Sequence, residues 1–188
     1  MAGPFRSPWT SQPAGPVQLD KRFSPVSVWL GSRPGVDLAV GNAASLTGSQ
    51  KSGPYGVGEY ISGSSDRVTL SGATNPGGSF LAVVTFQNLS STTSGILMAG
   101  KTIWSNSNGF MFDSKTNTDT LEINGGDGSN FPTISAPGVG AVDGVLRTVV
   151  IKFSGATAYC YMNGRFLGSV NIVTAAGSFP SGVGIGNY

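Results

Sequence analysis

The 188-residue sequence contains no histidine. This absence excludes the serine–histidine and cysteine–histidine pairs that activate nucleophiles, and it excludes every metal site built on imidazole. The sequence has a single cysteine, Cys160, so no intrachain disulfide can form. Because Cys160 falls within an alternating apolar segment, we predict that it is a small buried side chain and not a nucleophile.

Charge is also scarce. Charged residues make up 11% of the chain, against roughly 25% in an average soluble protein. The eleven Lys and Arg residues are scattered, so the basic patch of a nucleic-acid-binding protein is missing. No apolar run approaches membrane-spanning length, and the first ten residues lack the apolar core of a signal peptide. We therefore expect synthesis in the cytoplasm, with neither nucleic acid nor a membrane as partner.

Acidic residues are too few for the usual chemistry of carbohydrate cleavage, in which two carboxyl groups flank the scissile bond. The chain has two glutamates, Glu59 and Glu122, and they fall on separate predicted strands. The predicted loops hold aspartates at Asp66, Asp113, Asp119, Asp127 and Asp143. We predict that the protein is not an enzyme.

The chain is rich in glycine and proline, with 29 glycines and 11 prolines. These residues separate short apolar runs, as turn residues do. Residues 80–86 form the most apolar run, which predicts a strand buried on both faces or central in its sheet. Asn163-Gly164 is the residue pair that type I′ hairpin turns favour. The full set of predicted strands is 26–30, 57–62, 67–71, 80–86, 95–99, 110–112, 120–123, 146–153, 156–162, 165–170 and 183–187. This pattern predicts an all-β, antiparallel two-sheet jelly-roll sandwich with almost no helix.

The first 26 residues differ from the remainder, since they carry five prolines. Proline fixes φ and removes a backbone donor, so this stretch is predicted to be an extended arm preceding a sandwich domain over 27–188. Phe5, Trp9 and Phe23 lie among these prolines. They are either anchors that dock on a partner or aromatics that pack on the chain's own domain.

Three segments carry a resemblance to a known family: 58–70 (GEYISGSSDRVTL), 149–153 with 159–164 (VVIKF and YCYMNG), and 183–187 (VGIGN). In this order they resemble the concanavalin A-like lectin/glucanase superfamily, specifically its laminin-G-like branch. The resemblance implies a jelly roll of two antiparallel sheets. Family members usually continue with one more strand after the third segment. We therefore expect that strand to be missing, or to be supplied by a neighbour or by the arm.

The opening segment 5–13 (FRSPWTSQP) is similar to the start of laminin-G-like proteins among tailed-bacteriophage structural proteins. This similarity implies a non-enzymatic virion structural protein, either a capsid decoration or a tail appendage. In this hypothesis the arm docks on capsid or tail proteins at the virion surface. The protein would then be homo-oligomeric or present in many copies.

The alternative function is a carbohydrate-binding adhesion module that acts through its loop tips. Its candidate sugar-binding residues are Trp104, Asn106, Asn108, Asn130 and Phe131. A tryptophan in a sandwich can equally belong to the core. The loop around Asp127 is the most ligand-like for calcium, although an aspartate in a turn usually caps its own backbone. We expect no cofactor, and calcium at Asp127 is the alternative left open.

Overall fold

The computed structural model describes residues 44–47, 49–53, 56–60, 67–70, 79–88, 95–99, 110–115, 118–124, 131–172 and 183–186. These residues form strands and turns, and no helix occurs among them. In these ranges, therefore, no long apolar helix of the membrane-spanning kind is found. The strands are β1 (Ala44–Thr47), β2 (Ser49–Gly53), β3 (Gly56–Tyr60), β4 (Arg67–Leu70), β5 (Ser79–Gln87), β6 (Gly95–Ala99), β7 (Met111–Lys115), β8 (Thr120–Asn124), β9 (Thr133–Ser135), β10 (Leu146–Ser154), β11 (Thr157–Met162), β12 (Arg165–Asn171) and β13 (Val183–Gly186).

The strands form two large antiparallel sheets and one small hairpin. The first sheet has seven strands in the order β1-β4-β13-β6-β7-β8-β9, and the second has four in the order β12-β11-β10-β5. Strands β2 and β3 pair only with each other among the described strands. The C-terminal strand β13 lies between β4 and β6, where it completes the middle of the seven-stranded sheet.

One hydrophobic core joins the two sheets. Along β10 every second residue is buried, as expected of a strand with one face on a core and the other in solvent. Three rings form the centre of this core: Phe153 stacks on Phe80 at 4.8 Å, and Phe110 lies 5.3 Å from Phe153. Fully buried core side chains come from both sheets and include Val68, Phe112, Leu121, Ile123, Val149, Ile151, Phe153, Ala158 and Cys160. The two sheets therefore fold as one unit.

The β11–β12 hairpin is fixed by its turn. Asn163 and Gly164 both have positive φ, at 50° and 80°, as a type I′ turn requires. The Oδ1 atom of Asn163 accepts a hydrogen bond from the backbone N–H of Thr148 at 2.8 Å, which ties the turn to β10. The register shifts by one residue after Cys160, so β12 carries a bulge.

The structure confirms the predicted fold class: an all-β sandwich with two antiparallel sheets. It corrects the prediction for residues 80–86. Strand β5 alternates between buried and exposed residues, so it is not buried on both faces, and among the described strands β10 is its one neighbour. Strands β1, β2 and β9 were not predicted. The predicted strand 26–30, the arm over residues 1–26 and its boundary with the domain lie outside the described residues.

Candidate functional site

An apolar row crosses the solvent-facing side of the four-stranded sheet. Val150 on β10 pairs with Val83 on one side and with Tyr161 on the other. Tyr161 in turn pairs with Phe166 on β12. Val83 and Phe166, at the two ends of this row, are each 52% exposed. We call this face, which contains residues of all four strands, the outer face.

The two aromatic residues of the row contact each other. The rings of Tyr161 and Phe166 lie 5.1 Å apart and are tilted by 50°, a spacing typical of attractive aromatic pairs. Tyr159 lies two residues before Tyr161 and therefore on the same face. The ammonium group of Lys152, which pairs with Tyr159 across the strands, is 5.7 Å from the centre of the Tyr159 ring. This distance is within the range of a cation–π interaction.

Polar side chains border the aromatic residues. The hydroxyls of Thr85 and Thr148 are 3.0 Å apart and hydrogen-bonded on neighbouring strands. Ser169 pairs with Tyr159 and is exposed at the edge of the face. The side chains of the four strands that point to this face include a single charged residue, Lys152. The outer face thus combines exposed apolar area with hydroxyl groups and one positive charge.

The outer face is exposed because the same strands bury their other face. Ala158 and Cys160 point into the core and are fully buried, whereas Tyr159 and Tyr161 alternate with them. Period-two alternation therefore forces the tyrosines to the solvent side. Leu81 on β5 is likewise 51% exposed. Contiguous exposed apolar area on a folded domain usually marks a binding surface.

A second group of interest lies on the seven-stranded sheet. Asp113 on β7 pairs directly with Glu122 on β8. The ammonium of Lys115 is 2.7 Å from Oε2 of Glu122. Asp113 is only 4% exposed, and its Oδ1 atom has no hydrogen-bond partner. The predicted location of Asp113 in a loop is therefore wrong, because the side chain is buried within a strand.

The pKa of Asp113 is raised to about 7, mainly by burial and secondly by the nearby charge of Glu122. The hydrogen bond to Glu122 raises the pKa of Lys115. The carboxyl groups of Asp113 and Glu122 therefore interact electrostatically across the β7–β8 pair.

Most site residues predicted from the sequence lie outside the described residues. These are the arm residues Phe5, Trp9 and Phe23, the loop residues Trp104, Asn106, Asn108 and Asn130, and the calcium candidate Asp127. Phe131 is described and is half-buried at the start of the segment leading to β9. Within the described ranges, no three acidic, cysteine or histidine side chains form a group that could hold a metal ion.

The prediction for Cys160 is confirmed. Its side chain is fully buried in the core, and burial raises the pKa of the thiol to about 12. A thiol in this state carries almost no thiolate at neutral pH, and the thiolate is the reactive form. Cys160 therefore packs in the hydrophobic core, as predicted.

No known protein family matches the chain, and neither does any curated protein sequence. Solved structures do resemble it. The binding domain of botulinum neurotoxin DC in complex with SialylT is 13% identical with a TM-score of 0.50, and the match covers 81% of this chain and 41% of that one. The structure described as HCR/D-Sa-GBL1/C is 13% identical with a TM-score of 0.53, and the match covers 80% and 40%.

Domains LG4-5 of the mouse laminin α1 chain are 14% identical with a TM-score of 0.44, and the match covers 63% of this chain and 30% of that one. This chain thus spans less than half the length of each of the three proteins. At these identities the likeness concerns the fold. The antiparallel two-sheet fold that the resemblance implied is confirmed, and this chain shares its fold with the binding domain of botulinum neurotoxin DC and with the HCR/D-Sa-GBL1/C structure.

Proposed function

We propose that this protein is a non-catalytic carbohydrate-binding module and that the outer face of its four-stranded sheet is the binding surface. The observation that carries the proposal is the solvent-facing aromatic pair of Phe166, which is 52% exposed, and Tyr161, which is half-buried, with Tyr159 beside them on the same face. This choice keeps the carbohydrate-binding alternative predicted from the sequence. It moves the site from the loop tips to a sheet face.

The physical basis is the complementarity between a sugar ring and an aromatic ring. One side of a pyranose ring is lined by C–H bonds, whose hydrogens carry a small positive charge. The face of a tyrosine or phenylalanine ring is electron-rich, so the two surfaces attract each other. Phe166 is 52% exposed, and a sugar that covers it removes apolar area from water.

The polar groups at the border of the outer face can orient a bound sugar through hydrogen bonds. Sugar hydroxyls need donors and acceptors beside the stacking surface, and the hydroxyls of Thr148 and Ser169 can serve as both. Thr148 is held in place through its hydrogen bond with Thr85. Lys152 adds three N–H donors next to Tyr159. A few polar groups around an apolar centre are typical of small-ligand sites.

The botulinum neurotoxin binding domain shares the fold and was solved in complex with SialylT. This fact supports the proposal as an example of ligand binding by a protein that contains this fold. The match covers 41% of that chain, so it does not indicate which surface of this protein binds. The choice of the outer face rests on the exposed rings alone.

A glycan array followed by calorimetry on the best ligand tests the proposal. We expect Tyr161→Ala and Phe166→Ala each to weaken binding about tenfold or more, which corresponds to about 1.4 kcal/mol. Neither substitution empties a fully buried site, so both variants should fold. The matched control is Leu81→Ala, which removes an equally exposed apolar side chain at the opposite edge of the same face.

The control variant should bind with unchanged affinity, because Leu81 lies outside the aromatic pair. Absence of binding to every glycan would contradict the proposed function. Full affinity in both aromatic variants would contradict the proposed surface, even if a glycan were found.

The hypothesis of a virion structural protein stays a prediction from the sequence, because the arm that carries it lies outside the described residues. It is compatible with a sugar-binding face, since the two use different parts of the chain. Deleting residues 1–25 separates them. If the deletion variant no longer associates with particles but keeps its glycan affinity, the result would support both the virion role of the arm and the sugar-binding role of the outer face.

A further inference from the structure

Lys152 is an exposed positive charge within the outer face. It lies on β10, where it pairs with Leu81 on one side and with Tyr159 on the other. Its side chain is exposed, whereas its neighbours Ile151 and Phe153 are fully buried, so alternation along the strand places it on the solvent side. The charge therefore belongs to the surface that we propose for sugar binding.

No carboxylate in the described part of the chain forms an ion pair with Lys152. The carboxylates of Glu122 and Asp143 pair instead with Lys115 and Arg147. The four strands that form the outer face contain no aspartate and no glutamate. An anion that approaches Lys152 along this face therefore meets a complementary charge and no like charge from these strands.

The ammonium group of Lys152 lies close to the aromatic residues. It is 5.7 Å from the centre of the Tyr159 ring, so a cation–π interaction favours this position. Tyr161 follows two residues later on the same strand, which corresponds to about 7 Å. Since the lysine side chain is long and flexible, its ammonium can reach an acidic group at the edge of a sugar that stacks on Tyr161 and Phe166.

We propose that the outer face is selective for acidic sugars, which carry a carboxylate or a sulfate group, and that Lys152 is the residue responsible for this selectivity. The inference rests on the proposed function. The rings of Tyr161 and Phe166 stack on the sugar, and the ammonium of Lys152 donates charge-assisted hydrogen bonds to the anionic oxygens. A neutral sugar stacks on the same rings but lacks the charged contact.

The exposure of Lys152 limits the size of the preference. An ion pair between solvent-exposed groups contributes up to about fivefold in affinity, because water and salt screen the two charges. We therefore expect an acidic sugar to bind about fivefold more tightly than its neutral counterpart at low salt. The preference should decrease as the salt concentration rises, since the stacking contribution does not depend on charge.

A glycan array of matched pairs tests the selectivity. The two members of each pair differ by one acidic group: a hexose against the corresponding hexuronic acid, and an unsulfated against a sulfated hexose. Calorimetry on the best pair then compares variants of Lys152. Lys152→Gln should bind the acidic member about fivefold more weakly than wild type. Lys152→Arg should keep the preference, and Lys152→Glu should reverse it. The two kinds of pair show whether the carboxylate or the sulfate is preferred.

The matched control is Arg165→Gln. Arg165 is an exposed cation on β12 of the same sheet. It pairs with Met162, which packs against the core, and it precedes Phe166, so alternation places it on the side opposite to the outer face. Arg165→Gln lowers the net charge as much as Lys152→Gln does, and it should keep the preference for the acidic member.

The outcomes separate this inference from the proposed function. Binding to glycans without a preference for the acidic member would overturn the selectivity and leave the proposed function in place. A preference that survives in Lys152→Gln, or that Arg165→Gln reduces equally, would overturn the role of Lys152. Absence of binding to every glycan would contradict the proposed function, and this inference with it.

Discussion

At the scale of single residues, Asp113 is a buried acid inside a sheet. Its pKa is raised from an ordinary value of 3.8 to about 7, first by burial and then by Glu122. Between these two pH values the folded chain holds a proton that the unfolded chain has lost. The contribution of Asp113 to the free energy of unfolding is therefore greatest below about pH 4 and declines as the pH rises to about 7.

The prediction is a pH slope that depends on this side chain. We expect the wild-type protein to lose stability between pH 5 and pH 8, with a slope of up to about 1.4 kcal/mol per pH unit from this group. Asp113→Asn, which cannot ionise, should flatten the profile. Urea unfolding midpoints at both pH values measure the effect. Parallel profiles for the two proteins would show that Asp113 titrates normally.

Gly168 is the second informative residue. It has a φ of +148°, and a Cβ added there would lie 2.9 Å from Cδ1 of Ile134. We expect Gly168→Ala to destabilise the fold by about 1–3 kcal/mol, because the new methyl group crowds Ile134 and the backbone is strained. Gly155→Ala is the control, since Gly155 also has positive φ but no atom within 4 Å of the added Cβ.

Chemical denaturation gives the free energy of unfolding of both variants. Gly155→Ala reports backbone strain alone, whereas Gly168→Ala reports backbone strain together with the contact to Ile134. Adding Ile134→Val to Gly168→Ala removes the crowding atom and should recover part of the loss. Equal destabilisation by Gly168→Ala and Gly155→Ala would show that β12 and β9 are not in contact at this point.

At the scale of elements, the β11–β12 hairpin holds the aromatic pair together. Asn163→Ala should destabilise the protein by about 2 kcal/mol, because it introduces strain at a positive φ and removes the hydrogen bond to Thr148. Asn163→Gly keeps the turn conformation and loses only the hydrogen bond, so it should cost about 1 kcal/mol. Thermal unfolding measures both, and equal losses would mean that the turn is not type I′.

This hairpin could be predicted from the sequence almost in full. The alternation of residues 157–162 separates Tyr159 and Tyr161 from Ala158 and Cys160, and the two-residue turn at Asn163-Gly164 fixes the pairing. A turn of that length places Tyr161 opposite Phe166. The aromatic pair is therefore encoded in local sequence, although the sugar site predicted from the sequence lies on loops instead.

Strand β5 shows where local sequence is insufficient. Its apolar run predicted the strand correctly, but as one that is buried on both faces or central in its sheet. Leu81 and Val83 are exposed instead, because sheet order depends on which distant strand pairs with which. The order of strands in a sheet depends on packing across the whole core, so the sequence of a single strand does not reveal it. The same reason explains why Asp113, read as a loop residue, was not expected to lie opposite Glu122.

At the scale of the whole molecule, the two sheets carry different polar features. The seven-stranded sheet holds the pair of the buried Asp113 and the partly exposed Glu122, whereas the outer face of the four-stranded sheet has aromatic rings and no carboxylate among its paired side chains. We therefore expect glycan binding at the outer face to be unaffected by EDTA. Calorimetry with and without the chelator checks this. Loss of binding in EDTA would instead favour a calcium-dependent site such as the predicted one at Asp127.

The most direct test of the central claim is a nuclear magnetic resonance titration with the best glycan from the array. We expect the amide resonances of residues 157–171 and of Thr148 to Lys152 to shift on binding, while those of residues 111–115 and 120–124 on the seven-stranded sheet stay in place. Shifts confined to the seven-stranded sheet or to loops between strands, with residues 157–171 unmoved, would contradict it.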